Sequence, residues 1–441
     1  MLDINFIKNN VDAIKDIAKN KNISIDIDNL LEINKERVSL LRQIENLLAE
    51  KNKINEAIQK SSSDERKNLI ENGKIIKEKL SEIEPAYIEI NKKYDEIMVK
   101  IPNIVSKDTP IGKSEHDNIE IGIFGKIPSF DFKPKDHIQI GVDLDILDLE
   151  RGSKVGGYRG YYLKNEGVSL VMAMMLFALN KMIEKGFTPF IPPTLVKGSA
   201  LFGSGYFKNL EYDPEIDEVY QISSNDKEID GKTNKEKKFL VGTAEPSLLA
   251  YYSNETLKEE DLPIKMCGYS QCYRSEIGSY GKDTRGFYRV HEFMKIEQVV
   301  LTSANIEESI KIHDSMLEIS KEIHDDLNIA YRVLQICSGD MSAGKYRAFD
   351  IEAWLPGLDR WGETGSASNF LDWQARRLNV KYIDKSGEKK YVYMLNNTAL
   401  ASPRPFIAIL ENYQQKDGSV IVPEVLRKYM PGKKEIIAPK R

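Results

Sequence analysis

One segment leaves this chain little freedom in how it folds. From residue 69 to 101, Leu69, Gly73, Ile76, Leu80, Ile83, Tyr87, Ile90, Tyr94, Ile97 and Ile101 recur in steps of four and three. That spacing is a coiled-coil seam, because a helix with about 3.5 residues per turn keeps such positions on one stripe. A lone helix cannot bury its stripe, so a partner helix is expected close by in the sequence. Leu41, Ile44, Leu48 and Ile58 offer a comparable seam, weakened where Lys51 and Asn55 fall on it. Between the two lies "QKSSSDER", a turn in which Ser63 or Asp64 is expected to cap the second helix. The prediction is an antiparallel helical hairpin over about residues 27–101, on the order of 45 Å long at 1.5 Å rise per residue. Pro85 should bend the second helix, at a cost of about 3 kcal/mol, without ending it, since the seam continues in register.

At 441 residues the chain exceeds what one core usually holds, so a second domain is expected. After "IPNIVSKDTPIGK" short β-like runs with Gly and Pro punctuation replace the heptads. The boundary is placed at residue 105, giving domains 1–105 and 106–441. In the second, strands and helices mix without βαβ alternation, which predicts an α+β body on a largely antiparallel sheet. Neither a P-loop nor a dinucleotide fingerprint occurs, so a nucleotide would have to be held in another way.

The net charge of −5 excludes a broadly basic body, and any nucleic acid would need local patches. Cys267, Cys272 and Cys337 fit neither a disulfide framework nor a four-ligand zinc site. The start, "MLDINFIKNNVDAIKDIAKN", reads as neither a signal nor a transit peptide, and no 18-residue apolar run is apparent. A cytoplasmic protein with no membrane partner is the expectation.

Residues 272–297, "CYRSEIGSYGKDTRGFYRVHEFMKIE", concentrate charge between two strand-like runs. Taken as strands 265–276 and 288–300, the runs place Arg274 with Glu276 on one face. The second run puts Arg289, His291, Phe293, Lys295 and Glu297 together, with Val290, Met294, Ile296 and Val300 mostly opposite. One aromatic among arginines and carboxylates suits a stacked base beside phosphates. A solvent-facing strand would alternate in the same way, and this pattern alone leaves both readings open. The long turn holding Lys282 and Arg285 suits a loop that meets a polyanion.

Downstream, "GETGSASNFLDWQARR" sets Glu363 and Ser366 three apart, with Asp350 and Glu352 upstream in "FDIEAW". Hard oxygen donors of this kind suit Mg²⁺. In "NNTALASPRPFIAILENYQQ" a strand passes into a helix that starts with Arg404 and Pro405. An arginine at a helix N-terminus is a ready phosphate site.

Together these segments resemble the class II aminoacyl-tRNA synthetases, and within them the seryl branch, along nearly the whole chain. "GFTPFIPPTLV" (186–196) is similar to the family's motif 1, "CYRSE" through "FMKIE" to motif 2, and "ASPRPFIAILENYQQ" to motif 3. "GTAEPSLLAYY", "DTRGFYRVHEF", "SNFLDWQARR", "ENYQQKDGSVIVPEVLRKYM" and the helical hairpin mark the seryl branch. The resemblance implies an ATP-dependent, AMP-forming ligase that makes seryl-adenylate and transfers serine to tRNA(Ser), and to tRNA(Sec) where one exists. It implies a homodimer with Pro193 at the interface, Mg²⁺ with ATP, and tRNA bound through the coiled-coil arm.

By the same resemblance, Arg274 meets both the α-phosphate and the serine carboxylate, and Arg404 the γ-phosphate. Ser275, Glu276, Val290, Phe293, Thr364 and Gly365 complete the ATP site, and Glu363 with Ser366 holds the metal. Thr243, Ala244, Glu245, Glu297 and Thr398 surround the serine. Lys282 and Arg285 wait for the tRNA acceptor end.

The chain departs from the common family form at Thr364 and Gly365, where Ile and Ser are usual, and at the prolines flanking Arg404. Residues 212–238 read as a charged, flexible surface insertion. Two rivals use the same residues: a paralogue that charges another acceptor such as a carrier protein, and a catalytically silent binding protein. The long arm argues against the first, and intact Arg274, Glu363 and Arg404 against the second.

Overall fold

The seam residues fold as two long helices, α1 (Ile27–Lys60, 34 residues) and α2 (Ser63–Met98, 36 residues). The structure, a computed structural model, describes residues 1–223, 227, 237–277 and 286–439, the side chains of residues 63 and 64 apart. The chain divides into a helical unit, Leu2–Lys19 with Ile23–Pro102, and a larger unit of Met1, Asn20–Asn22 and Asn103–Arg441.

In the helical unit, Ile44, Ile76 and Leu80 are buried between α1 and α2, flanked by Leu47, Ile54, Ile83 and Tyr87. The stripe of α1 thus runs through Leu47, while Leu48, expected on it, is 40% exposed. Stepping four rather than three from Ile44 put the expected seam one residue off beyond that point. α2 continues through Pro85 without ending. Its N-cap position falls to Ser62, whose side chain makes no capping bond, rather than to Ser63 or Asp64. α1 is capped by Asp26, whose carboxylate accepts from the Asn29 amide at 3.0 Å. Arg37 of α1 lies 4.3 Å over the ring of Tyr94 of α2, tying the helices together away from the turn.

The larger unit is built on eight strands: β1 (Ile119–Phe124), β2 (Thr188–Phe190), β3 (Ile264–Tyr273), β4 (Glu292–Thr302), β5 (Tyr331–Gln335), β6 (Arg347–Leu355), β7 (Arg360–Asn369) and β8 (Tyr393–Ala401). Their order across the sheet is β1-β5-β6-β7-β8-β4-β3-β2. Every pairing is antiparallel except β2 on β3. β4 is central and almost wholly buried, which requires both faces of the sheet to be covered there. Its even residues Ile296 and Val300 join the main core with Met316 and Ile319 of α4 (Ile306–Asp326). Its odd residues Phe293 and Lys295 line a cleft on the opposite face.

α3 (Glu166–Glu184) is long and apolar enough by composition to cross a membrane, although Ser169, Asn180 and Lys181 interrupt any continuous apolar run. Half of it is buried, with Leu170, Met174, Ala178 and Met182 in the core of this unit. It is a core helix of the fold.

The charged hairpin is shorter than expected. β3 ends at Tyr273 and β4 begins at Glu292, so Arg274, Glu276, Arg289 and Val290 lie on the chain just beyond the strands. One further bond, from the Arg274 amide to the His291 carbonyl at 3.0 Å, holds the two exits together. The presumed surface insertion is also partly structural. Asp217 and Val219 are buried, and Tyr220–Ile222 pairs with Lys238–Leu240, which in turn pairs with Leu195–Lys197.

Candidate active site

The cleft is partly open to solvent and holds about 80 Å³ of free space. It is lined by Arg274 and Glu276 from the exit of β3, Tyr288 to Val290 on the approach to β4, and Phe293 and Lys295 of β4. Glu363, Thr364 and Gly365 of β7, Thr398 and Ala401 of β8, and Pro403 with Arg404 complete the wall. The last two open α5 (Pro403–Asn412), where a proline at the first helical position removes an amide that would have no partner.

One half of the cleft is rich in arginine. Arg274 donates to the Gly242 carbonyl at 3.4 Å and sits 5.6 Å over the Phe293 ring. Glu276, in the left-handed region at φ 55°, accepts from Arg289 at 2.6 Å and lies 3.9 Å from Arg159. Arg404 donates to the Glu363 carbonyl at 2.7 Å and its carboxylate at 3.1 Å. The Arg404 guanidinium also rests 4.6 Å from the Tyr288 ring centre, as does that of Arg360.

Burial works against ionisation of Glu363, but Arg404 and Arg274 outweigh it and hold its carboxyl below the usual range. Nearby Asp350, hydrogen-bonded to Ser366, is pushed upward by desolvation and by the charge of Glu363. Two half-buried carboxylates, one destabilised by the other and hydrogen-bonded to the Ser366 hydroxyl, form an oxygen donor set. They fit a hard divalent cation that completes its shell with phosphate and water. Glu352 is not part of this set, because Arg332 holds it at 2.7 Å. Among the described residues no group of three or more His, Cys, Asp or Glu side chains forms a metal cage.

The other half is a polar recess. Glu245 is 5% exposed, and its carboxylate accepts from Gln374 and Asn396 at 2.7 Å each and from Tyr206 at 3.2 Å. Burial raises its carboxyl to about 7 despite the Gln374 bond, with Glu297 adding to the rise. Glu297 pairs with Lys295 at 2.8 Å and accepts from the Thr398 hydroxyl at 3.4 Å. Among the described residues, the hydroxyls of Thr243 and Ser275 are buried with no hydrogen-bond partner. Buried hydroxyls are nearly always satisfied, so these two are groups that a ligand would complete.

The chain matches known proteins along its whole length. Residues 1–105 match the seryl-tRNA synthetase N-terminal domain family, and residues 220–413 the tRNA synthetase class II core domain of the G, H, P, S and T enzymes. A serine–tRNA ligase from Treponema denticola is 43% identical over 432 residues, covering 97% of this chain and 98% of that protein. The chain belongs to the seryl-tRNA synthetase family.

The Deinococcus radiodurans serine–tRNA ligase is 38% identical over the full length of both chains. Among solved structures, a Pyrococcus horikoshii seryl-tRNA synthetase complexed with ATP superposes with a TM-score of 0.85, at 35% identity and full coverage of both chains. A cytoplasmic serine–tRNA ligase from Naegleria fowleri in complex with AMP gives a TM-score of 0.81 at 30% identity, covering 98% of this chain and 96% of that one. As a seryl-tRNA synthetase family member, the protein is a class II aminoacyl-tRNA ligase, an ATP-dependent enzyme built on an antiparallel sheet and preceded by long helices.

Most residues expected at the synthetase site do come together. Arg274, Glu276, Val290, Phe293, Glu363, Thr364, Gly365, Thr398 and Arg404 line one cleft. Thr243, Ala244, Glu245 and Glu297 are buried beside it. Val290 is buried in the main core, as its face predicts, and also reaches the cleft wall. His291, expected to share a face with Phe293, instead donates to the Arg274 carbonyl at 2.8 Å. The Thr364 hydroxyl turns away from the cleft to buried His324 at 2.8 Å. Pro193 is exposed, and its carbonyl accepts from Ser247 at 2.6 Å. Lys282 and Arg285 lie outside the described residues.

Five further residues shape the site without having been singled out for it. Lys295 shares the period-two face of Phe293 and Glu297, so its place was readable. Asn396 lies two residues before Thr398 on β8, the same signal. Arg159, Tyr206 and Gln374 come from segments distant in sequence, and only the fold brings them in.

Proposed function

We propose that the protein activates L-serine with ATP to give seryl-adenylate and pyrophosphate, then transfers the seryl group to tRNA(Ser). The observation that carries this reading is the position of Arg274. It stands within electrostatic reach of Glu276 and Glu363 on the arginine-rich side and of Tyr206, the donor to Glu245, on the recessed side. A cation between two half-sites can hold the α-phosphate and a carboxylate together.

In the first step a serine carboxylate oxygen attacks the α-phosphorus and pyrophosphate leaves, with no protein nucleophile. The side chains supply alignment and charge. Arg274 bridges the two anions, Arg404 meets the γ-phosphate, and Phe293 stacks the base with Ser275, Glu276 and Val290 around it. Glu363 and Ser366, with Asp350, would hold Mg²⁺, which when bound offsets the charge of the phosphates. Glu245 and Thr243 take the serine ammonium, while Glu297 and Thr398 take its hydroxyl. A substrate lacking that hydroxyl would leave the buried Glu297 carboxylate short of one hydrogen bond, worth up to about 10⁴-fold in discrimination. In the second step a terminal ribose hydroxyl of tRNA attacks the acyl carbon and AMP departs. The ATP and AMP carried by the two solved relatives match the substrate and product of this pair of steps.

Residues 1–105 act as the tRNA-binding domain through the α1–α2 hairpin, and residues 106–441 as the catalytic domain. tRNA(Sec) is a further acceptor, and Lys282 and Arg285 meet the acceptor end. The protein works as a cytoplasmic homodimer. Val168, Met172, Leu176 and Ile183 make a half-exposed apolar stripe along α3, and Ile191, two residues before Pro193, is 86% exposed. Cys267, Cys272 and Cys337 are free thiols, as a reducing compartment allows.

Serine-dependent ATP/pyrophosphate exchange followed by aminoacylation of tRNA(Ser) tests the proposal. Both activities are expected. Absence of exchange would refute the chemistry, and exchange without charging would favour the carrier-protein paralogue.

A further inference from the structure

The arginine-rich half of the cleft hangs on a β-bulge. Across β6 and β7, Ile351 faces Gly365 and Glu352 faces Glu363, so Thr364 is the extra residue. A bulge re-aims its neighbours, and a one-residue slip at this point would carry Glu363 to the other face. Something must hold the extra residue in place.

The hold comes from behind the sheet. The Thr364 hydroxyl lies 2.8 Å from Nε2 of His324 and 3.1 Å from the Ile351 carbonyl. His324 is 3% exposed and packs 5.2 Å from the Tyr331 ring. Its Nδ1 is 2.7 Å from the Ser320 carbonyl. A carbonyl can only accept, so Nδ1 carries the proton, and Nε2 and the Ile351 carbonyl share the single Thr364 hydroxyl proton as its two acceptors. One helical turn earlier, the Ser320 hydroxyl donates to the Thr398 carbonyl at 2.9 Å. It also accepts from the side chains of Gln298 and Asn397 at 3.0 and 2.9 Å. Residues four apart share a helix face, so one turn of α4 reaches both halves of the cleft.

We propose that the Ser320–His324 turn is the positioning element of the site. His324 fixes the bulge that aims Glu363, and Ser320 fixes the stretch of β8 that aims Thr398 at Glu297. Neither touches a ligand. The hydroxyl of Thr364 is what allows a histidine to act from the helix. The inference rests on the reading above only in assigning Mg·ATP to the Glu363 half and serine to the Thr398 half.

The test is separate calorimetric titration of Mg·ATP and of serine, alongside exchange kinetics, on Thr364→Val, Thr364→Ser and Ser320→Ala. Supporting residues of this kind typically change affinity or activity roughly 10–100-fold. Thr364→Val keeps the shape but removes the hydroxyl, and should weaken Mg·ATP by that factor while serine affinity holds. Thr364→Ser should restore it. Ser320→Ala should show the converse, with serine weakened and Mg·ATP kept. Equal losses for both ligands in both variants, or an unchanged Mg·ATP affinity in Thr364→Val, would overturn the proposal. Absence of serine binding in the unmodified protein would instead refute the proposed function, and the Mg·ATP titrations would still decide the role of Thr364.

Discussion

Glu245→Gln should make the protein more stable and less useful. The wild-type carboxyl is raised from 4.5 to about 7, chiefly by burial. It therefore binds its proton more tightly in the folded chain than in the unfolded one. That favours folding at low pH, and the benefit is lost as pH rises from about 4.5 to about 7. At about 1.4 kcal/mol per pH unit, the span amounts to about 3 kcal/mol carried as a burden above neutrality. Glutamine keeps an oxygen for Gln374 and Asn396 and carries no charge. Urea unfolding at pH 8 should show the variant more stable by about 3 kcal/mol, with the gap narrowing to about 1 kcal/mol or less at pH 5. Serine-dependent exchange should collapse in the variant, because the ammonium loses its counter-charge. In the wild type, the serine KM should rise about tenfold from pH 8 to pH 6 as the carboxylate is protonated. A variant less stable than wild type at pH 8, or a serine KM flat across this range, would refute the reasoning.

Arg404→Ala should raise the KM for ATP roughly 10- to 100-fold, the worth of a lost charged hydrogen bond, with little change in the KM for serine; exchange kinetics decide this. Replacing residues 48–76 with a short Gly-Ser turn should preserve exchange and abolish aminoacylation, and loss of both would show that the hairpin supports the body. Leu176→Glu on the exposed face of α3 should halve the mass seen by sedimentation; an unchanged mass would place the dimer contact elsewhere.

What could be read from the chain alone follows the range of the forces involved. The α1–α2 hairpin was legible because heptad burial is a local periodicity, and the expected seam departed at Leu48, where Leu47 carries the stripe instead. Phe293 and Glu297 were legible on one face of β4 because alternation is fixed by the pleat. Arg274 and Glu276 were assigned to a strand that stops at Tyr273, since a left-handed residue at Glu276 leaves no mark in side-chain pattern. The partners of Glu245 were out of reach, being set by tertiary pairing across 39, 129 and 151 residues. His324 was overlooked for the same reason: on a helix, a buried histidine looks like any other.

The cleft keeps its charges in couples: Arg404 with Glu363, Arg289 with Glu276, and Lys295 with Glu297. A ligand entering such a site must trade places with a partner already there. An anion that takes Arg404 alone strands Glu363 beside Asp350, whereas an anion that brings a cation leaves no charge without company. A zwitterionic amino acid bound as proposed would meet the same condition on the other side, offering a carboxylate to Arg274 and an ammonium to Glu245. The pocket therefore filters for electrical balance before it reads shape, and nucleotides without a metal or serine analogues without an amine should fail at that first gate.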